Sequence, residues 1–265
     1  MMSYRLAVVG GGNMGAALVG GLLDAGWAEP SELAVVELVD DRRRVLHEMF
    51  PGVAITDSIP ACDAALIAVK PNDVAAAAAA AARVGAHRIL SIAAGVSVHT
   101  LEQACGADVA VVRAMPNTPA LVGQAASAIC GGTASGEDDL DWAESILGAV
   151  GTVVRVPESQ LDAVTGLAGS GPAYLFMVAE ALIEGGLQVG LERDVAEALV
   201  TQLFIGSAAL LADRGDPAQL RVMVTSPGGT TAAGLGVLDA REVRDALIEA
   251  VAAATARSRE LGRTG

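Results

Sequence analysis

Six residues near the N-terminus, Gly10-Gly11-Gly12-Asn13-Met14-Gly15, constrain this chain more than any other segment. They contain G-x-G-x-x-G, follow an apolar run at Leu6–Val9 and open a stretch of helical length at Gly15–Ala25. Strand, glycine turn and helix in that order begin a dinucleotide-binding βαβ unit, in which backbone N–H groups at a helix start face a pyrophosphate. A glycine-rich turn by itself is an ordinary loop. Here the flanking elements agree, and Glu37 ends the second apolar run about 20 residues further on, where such units place a ribose ligand. Gly10, Gly12, Asn13, Met14, Gly15 and Glu37 are therefore the first candidate cofactor residues. Glu37 favours NAD and repels a 2′-phosphate. Arg42, Arg43 and Arg44 follow closely and read either as ligands for that phosphate or as solvated charges at a helix start. The expected cofactor is NADH or NADPH.

Seven apolar runs read as strands: Leu6–Val9, Leu33–Glu37, Ala64–Val69, Arg88–Ile92, Val109–Arg113, Ala126–Cys130 and Thr152–Val156. Between the early ones, Gly15–Ala25, Arg42–Phe50 and Val74–Val84 read as helices, and the Ala75–Ala82 run within the last is a helix surface suited to close packing. This alternation predicts an α/β fold, a Rossmann-type domain around a mainly parallel sheet, with room for the last strands to depart from the pattern. After Pro157 no convincing strand appears. Leu161–Val189, Arg193–Arg214, Pro217–Thr225 and Thr230–Gly262 read as helical, with a bend or helix start at Gly171-Pro172 and helix ends at Gly190 and Gly215. The expected division is a dinucleotide-binding domain over 1–157 and an all-helical domain over 158–265.

Bulk properties narrow the function. A net charge of −14 leaves no excess of cations to neutralise a nucleic-acid backbone, so none is expected as a partner. Mean hydropathy is high for a soluble monomer. No apolar stretch reads as long and unbroken enough to span a bilayer, so the surplus is assigned to a subunit interface and no membrane is expected. Cys62, Cys105 and Cys130 lie too far apart to indicate a disulfide framework or a metal site. No signal-like segment precedes Leu6, and the cytoplasm is the expected location.

Five further segments occur in order: Ala68-Val69-Lys70-Pro71, Ser91-Ile92-Ala93-Ala94-Gly95-Val96, Val112-Arg113-Ala114-Met115-Pro116-Asn117-Thr118-Pro119-Ala120, Gly169-Ser170-Gly171-Pro172-Ala173-Tyr174 and Val224-Thr225-Ser226-Pro227-Gly228-Gly229-Thr230-Thr231. Along nearly the whole chain this series resembles the pyrroline-5-carboxylate reductase family. The resemblance implies NAD(P)H-dependent reduction of the cyclic imine 1-pyrroline-5-carboxylate to proline. It also implies a helical domain that interlocks with a second subunit, active sites where the nucleotide domain meets the helical dimer, and assembly of dimers into a larger homo-oligomer.

The residues make chemical sense beside that resemblance. Ala68, Val69, Lys70 and Pro71, with Ala93, Ala94 and Gly95, are expected at the carboxyl ends of strands, where open α/β sheets bind ligands and small side chains admit a nicotinamide ring. Lys70 reads either as an aid to the cofactor or as a strand cap. Asn117 and Thr118 read either as hydrogen-bonding groups near the nicotinamide or substrate, or as supports of a Pro-bracketed turn. Ser226 has the chemistry of an N-cap. Gly228 and Gly229 are poor helix formers whose backbone donors suit a carboxylate, and with Thr230 they are the expected substrate contacts alongside Asn117. Thr231, with Ser226, is the expected catalytic hydroxyl, reaching the ring nitrogen. A protonated C=N bond is already electrophilic, so the lack of an obvious acid–base pair, with His47, His87 and His99 unpatterned, is consistent with this chemistry. One rival is a β-hydroxyacid dehydrogenase. Gly166, Gly169 and Gly171 match that family's glycines, but Leu175 stands where it carries a Lys. The other is a nucleotide-binding regulatory protein without turnover, which would not need the Ser226–Thr231 segment.

Overall fold

The computed structural model describes residues 3–264. Contacts divide it into two compact units, one of residues 1–170 with 252–265 and one of residues 171–251.

In the first unit, eight strands form one sheet in the order β3-β2-β1-β4-β5-β6-β7-β8. They are β1 Leu6–Val9, β2 Leu33–Val36, β3 Ala54–Thr56, β4 Ala64–Ile67, β5 Arg88–Ser91, β6 Ala110–Met115, β7 Ala125–Gly131 and β8 Gly151–Arg155. The first six in chain order are parallel; β7 runs antiparallel to β6, and β8 runs parallel to β7. The reversal has a covalent cause. The link from Pro116 to Gln124 holds only a 3₁₀ turn at Thr118–Val122, too short for a parallel crossover of roughly a dozen residues or more. The helices of this part are α1 Asn13–Asp24, α2 Asp40–Met49, α3 Pro71–Arg83, α4 Val98–Cys105 and α5 Glu137–Leu147.

Alternate strand residues fill two separate cores, because a strand's side chains point to opposite faces. Leu6, Val8, Leu33, Val35, Leu66 and Leu90 pack with Leu18, Val19 and Leu22 of α1, Leu46 of α2 and Ile146 of α5. Ala7, Val9, Ala34, Val36, Ile67 and Ile89 pack with Val74, Ala78 and Ala81 of α3 and Leu101 of α4. Both faces are covered, which is why these strands read as continuous apolar runs. One strand escaped the sequence reading: β3 is three residues long, half-buried and at the sheet edge.

The helical half begins with α6 Leu161–Val164, a π-helical turn at Thr165–Gly169, and α7 Gly171–Gln188. It continues with α8 Arg193–Arg214, α9 Pro217–Met223, α10 Thr230–Ala240 and α11 Val243–Thr264. Gly171-Pro172 opens α7, and Gly190 and Gly215 follow the ends of α7 and α8, as the sequence indicates. The break at Arg241-Glu242 was not legible, because Glu242 adopts a positive φ of 53° with no glycine to announce it.

The packing boundary differs from the one drawn at Pro157. Leu161 is fully buried with Val98, Ala128 and Cys130, so residues 158–170 pack with the sheet even though, among the described residues, no strand follows Arg155. The reading that no stretch is long and apolar enough to span a bilayer needs correction. Glu158–Gln188 and Arg193–Arg214 are long and apolar enough to cross a bilayer by length and composition. The physical reason is that a helix covered on several faces by a partner subunit needs apolar side chains on those faces, as a lipid-facing helix does. In the second unit Phe176, Met177, Leu199, Leu203 and Ile205 are each more than half exposed. Such a surface requires cover, and sedimentation is expected to find a dimer, with no stable, active monomer at low micromolar protein concentration.

Candidate active site

The glycine turn lies between β1 and α1, at the point where the strand order reverses from β1 towards β2 on one side and β4 on the other. Open α/β sheets bind ligands in the crevice at that point. Its glycines have different reasons. Gly10 has φ +110° and stands against β4: a Cβ there would lie 2.5 Å from the Ala68 carbonyl oxygen. At Gly15 a Cβ would come within 2.0 Å of the Gly10 carbonyl oxygen. These two, together with buried Gly11 against Leu46, are demanded by the fold. Gly12 is not. Among the described residues, nothing beyond its chain neighbours lies within 4 Å of the place its Cβ would take, and its φ of −66° suits any residue. Gly12 is the N-cap of α1, which has no capping side chain, so the helix start is left open to an anion. A pyrophosphate fits this cradle.

Glu37 sits just beyond β2, with Gly11 N–H donating to Oε2 at 3.2 Å and Val39 N–H to Oε1 at 3.0 Å. Each oxygen keeps acceptor capacity for a ribose hydroxyl. The three arginines separate. Arg42 donates through Nε to the Gly11 carbonyl at 2.7 Å, which anchors it beside the glycine turn, whereas Arg43 and Arg44 pair with Asp40 and Asp41 on their own helix.

The strand-end segments after β4 and β5 meet in a cleft of about 630 Å³ within the first unit. Lys70, Pro71 and Asn72 line it from one strand end, and Ala94, Gly95 and Val96 from the next. Lys70 is also the N-cap residue of α3, so both of its readings are compatible with its place. Thr165, Ser170 and the α11 residues Arg257, Ser258 and Gly262 complete the lining. Ser170 belongs to the Gly169–Tyr174 segment, but nothing in the sequence marks the end of α11 as part of this wall. A second groove, about 660 Å³, runs beside α1 past Asn13, Gly20 and Asp24 and contains none of the strand-end residues.

Asn117, an expected substrate contact, lies between the π-helical turn and β7. It is buried, its Nδ2 donates to the Ala168 carbonyl at 3.0 Å and its Oδ1 accepts from Ala126 N–H at 2.9 Å. With its amide engaged at both ends, it braces the π-helical turn against β7. The reading of Ser226 as an N-cap is corrected. The N-cap of α10 is Gly229, with no capping side chain; Gly228 provides the positive φ of 69° that the turn requires. Gly229 N–H donates to the Ser226 carbonyl at 3.0 Å, so that donor of the glycine pair is engaged within the turn. Ser226, Gly228, Gly229, Thr230 and Thr231 all belong to the second unit. Burial pushes the Cys62, Cys105 and Cys130 thiols up to about 11, which disfavours the thiolate form.

A doubly wound sheet with an open glycine cradle at its switch point, joined to a helical unit with an uncovered apolar surface, is the plan of a two-part nicotinamide-dependent oxidoreductase. Residues 158–261 match the family model for pyrroline-5-carboxylate reductase dimerisation, and residues 5–95 match that for NADP oxidoreductase, coenzyme F420-dependent. The pyrroline-5-carboxylate reductase of Synechocystis is 42% identical over 99% of this chain and 100% of its own length, and that of Mycobacterium leprae is 40% identical over 97% and 96%. The solved pyrroline-5-carboxylate reductase of Coxiella burnetii superposes with a TM-score of 0.89 at 34% identity, covering 98% of this chain and 99% of its own. This chain belongs to the pyrroline-5-carboxylate reductase family.

The two kinds of glycine are separable by experiment. Gly15→Ala is expected to lower Tm by about 5 °C or more, because its Cβ has no room. Gly12→Ala is expected to leave Tm within about 2 °C and to weaken NADH or NADPH binding at least about tenfold. Thermal melts and fluorescence titration of the dinucleotide check both outcomes, and normal binding by Gly12→Ala would exclude the cradle.

Proposed function

We propose that this protein reduces 1-pyrroline-5-carboxylate to L-proline with NADH or NADPH, acting as a homo-oligomer of dimers in the cytoplasm with neither a membrane nor a nucleic acid as partner. The observation that carries this reading is the joint presence of the open Gly12 cradle and the uncapped, glycine-preceded start of α10 in a chain of this family. The three buried or half-buried thiols, none of them in a disulfide, agree with a reducing compartment.

When bound, the dihydronicotinamide supplies a hydride to the carbon of the C=N bond. The chain's own residues bind and orient. The glycine turn and the first turn of α1 hold the pyrophosphate, Glu37 accepts from the adenosine ribose, and the small residues Ala93, Ala94 and Gly95 leave space for the nicotinamide ring against the β5 end. The Gly228-Gly229 turn and the opening turn of α10, with donors at Gly228 and from Thr230 onward, hold the substrate carboxylate. The Thr231 hydroxyl hydrogen-bonds at the ring nitrogen, which carries the proton in the reactive iminium form. With an electrophile already activated by protonation, orientation is the main requirement.

A direct assay decides between this and the rivals. Oxidation of NADH and NADPH that depends on 1-pyrroline-5-carboxylate is the expected result. A chain that binds dinucleotide but turns over neither would be a regulatory binder, and oxidation of a β-hydroxyacid would favour the dehydrogenase reading, against which Leu175 stands. Within the proposed site, Thr231→Val nearly preserves shape and deletes the hydroxyl. A hydrogen bond to a charged group contributes about 1.5–3 kcal/mol, so kcat/KM for the substrate is expected to fall about 10- to 100-fold. Dinucleotide affinity is expected to remain close to wild type. Near-normal turnover, or an equal loss of cofactor binding, would remove Thr231 from this role.

A further inference from the structure

We propose that Glu158 and Asp162 are positioning residues that set the spacing of the two walls of the strand-end cleft, an inference that rests on that cleft being the nicotinamide site. The residues stand four apart, one helical turn, at the point where the chain leaves the sheet. Leu161 between them is fully buried with Val98, Ala128 and Cys130, which fixes the segment to the sheet.

The carboxylates reach to different walls. Glu158 Oε1 accepts from the Val98 backbone N–H at 2.7 Å and from Arg113 Nη1 at 2.9 Å. Val98 is the first residue of α4, directly after the Ala93–Ser97 loop that forms one wall. Ser97 Oγ accepts from Thr100 N–H at 3.0 Å, so the α4 start is held by two side chains rather than one. Arg113 is nearly buried, its side chain 10% exposed, which ties the Glu158 carboxylate to β6.

Asp162 Oδ1 accepts from Ser258 Oγ at 2.7 Å, and Ser258 is buried. Ser258 lies on the stretch of α11 that forms the opposite wall, one turn before Gly262. There the backbones of the two walls converge: a Cβ on Gly262 would lie 3.4 Å from the Gly95 carbonyl oxygen. The floor between the walls, Thr165 and Ser170, continues from the same segment. One short segment, a 3₁₀ turn at Glu158–Gln160 running into α6, therefore holds one wall through Glu158 and the other through Asp162. Neither carboxylate lines the cleft, so neither acts on the bound groups directly.

The test uses the full chain with NADH and 1-pyrroline-5-carboxylate, and expresses kcat per site titrated with bound NADH. Asp162→Ala and Glu158→Ala are expected to lower this kcat about tenfold, as sub-ångström misplacement of a hydride donor does. NADH affinity, set largely by the glycine turn, is expected to change little. Asp162→Asn and Glu158→Gln keep the accepting oxygen and are expected to restore most of the loss. A merely structural role would lower Tm and the titrated site count while leaving kcat per site unchanged, and that result overturns the proposal. Glu158→Ala leaves Arg113 without its carboxylate and risks misfolding, so Asp162→Ala, which strands no buried charge, carries the decision. Ala94→Leu tests the underlying reading by filling the cleft. If it leaves kcat intact, the cleft is not the nicotinamide site and the positioning role falls with it. If it abolishes turnover while the Asp162→Ala variant is normal, only the positioning role is lost.

Discussion

The close approach of α1 to the end of β1 is the constraint on which the rest of the site depends. Gly15 lies so near the Gly10 carbonyl that a single methyl group would overlap it, and Gly10 in turn lies against the Ala68 carbonyl beyond β4. Three backbone segments are thereby brought together at the sheet's switch point with no side chain between them. That contact aims the uncapped start of α1 across the crevice and leaves Gly12 facing open space. The favourable field of a helix start fades within a turn, so an anion gains from it only if the approach is this close. The same contact brings the β4 strand end, and with it Lys70 and Pro71, alongside the cofactor cradle.

What the sequence revealed, and what it concealed, follows from where each signal is stored. Strands covered on both faces must be mostly apolar, so β1, β2 and β4 stand out as short unbroken runs, and β5 shows only Ile89 and Leu90 between Arg88 and Ser91. The β3 strand Ala54–Thr56 is short and half-buried at an edge, and its residues carry no comparable pattern. Helix ends that use glycine, at Gly190 and Gly215, were legible; the turn at Glu242 was not, because its strain is absorbed by a residue with no visible preference for it. In the site, the glycine cradle is a local pattern and could be read directly. Asn117 could not be assigned by type, since the same amide that suits a ligand also suits a brace between Ala168 and Ala126. The α11 wall is a long-range contact, with Ser258 bonded to Asp162 across 96 positions, and no local pattern announces it.

The helical half shows how one physical requirement can imitate another. Helices α7 and α8 are apolar around much of their circumference, and on composition alone they would serve in a bilayer. A dimerisation family match over 158–261 gives the same apolar faces a protein partner instead. Interfaces of this obligate kind resemble a core cut in half, and they carry few charges for the same reason a core does. In the first unit, by contrast, Glu137, Asp141 and Glu144 gather around Arg155 and tie α5 to β8.

A site with no acid–base pair needs another source of rate, and for an iminium substrate that source is geometry. The electrophile is activated by its own proton, so the protein need not move one at the reacting carbon, and it can work with backbone donors, small side chains and a hydroxyl. Groups of that kind have little freedom to correct a misplaced ring: a backbone N–H cannot reorient as a histidine or lysine side chain can. Precision must then come from whatever fixes the loops that carry them. The hydrogen bonds that converge on the 158–162 segment, from Val98 N–H, Arg113 and Ser258, are the structural counterpart of that demand. Glu158 and Asp162 stand behind the cleft, bonded to Val98, Arg113 and Ser258, while glycine, alanine and hydroxyl groups line it together with Lys70 and Arg257.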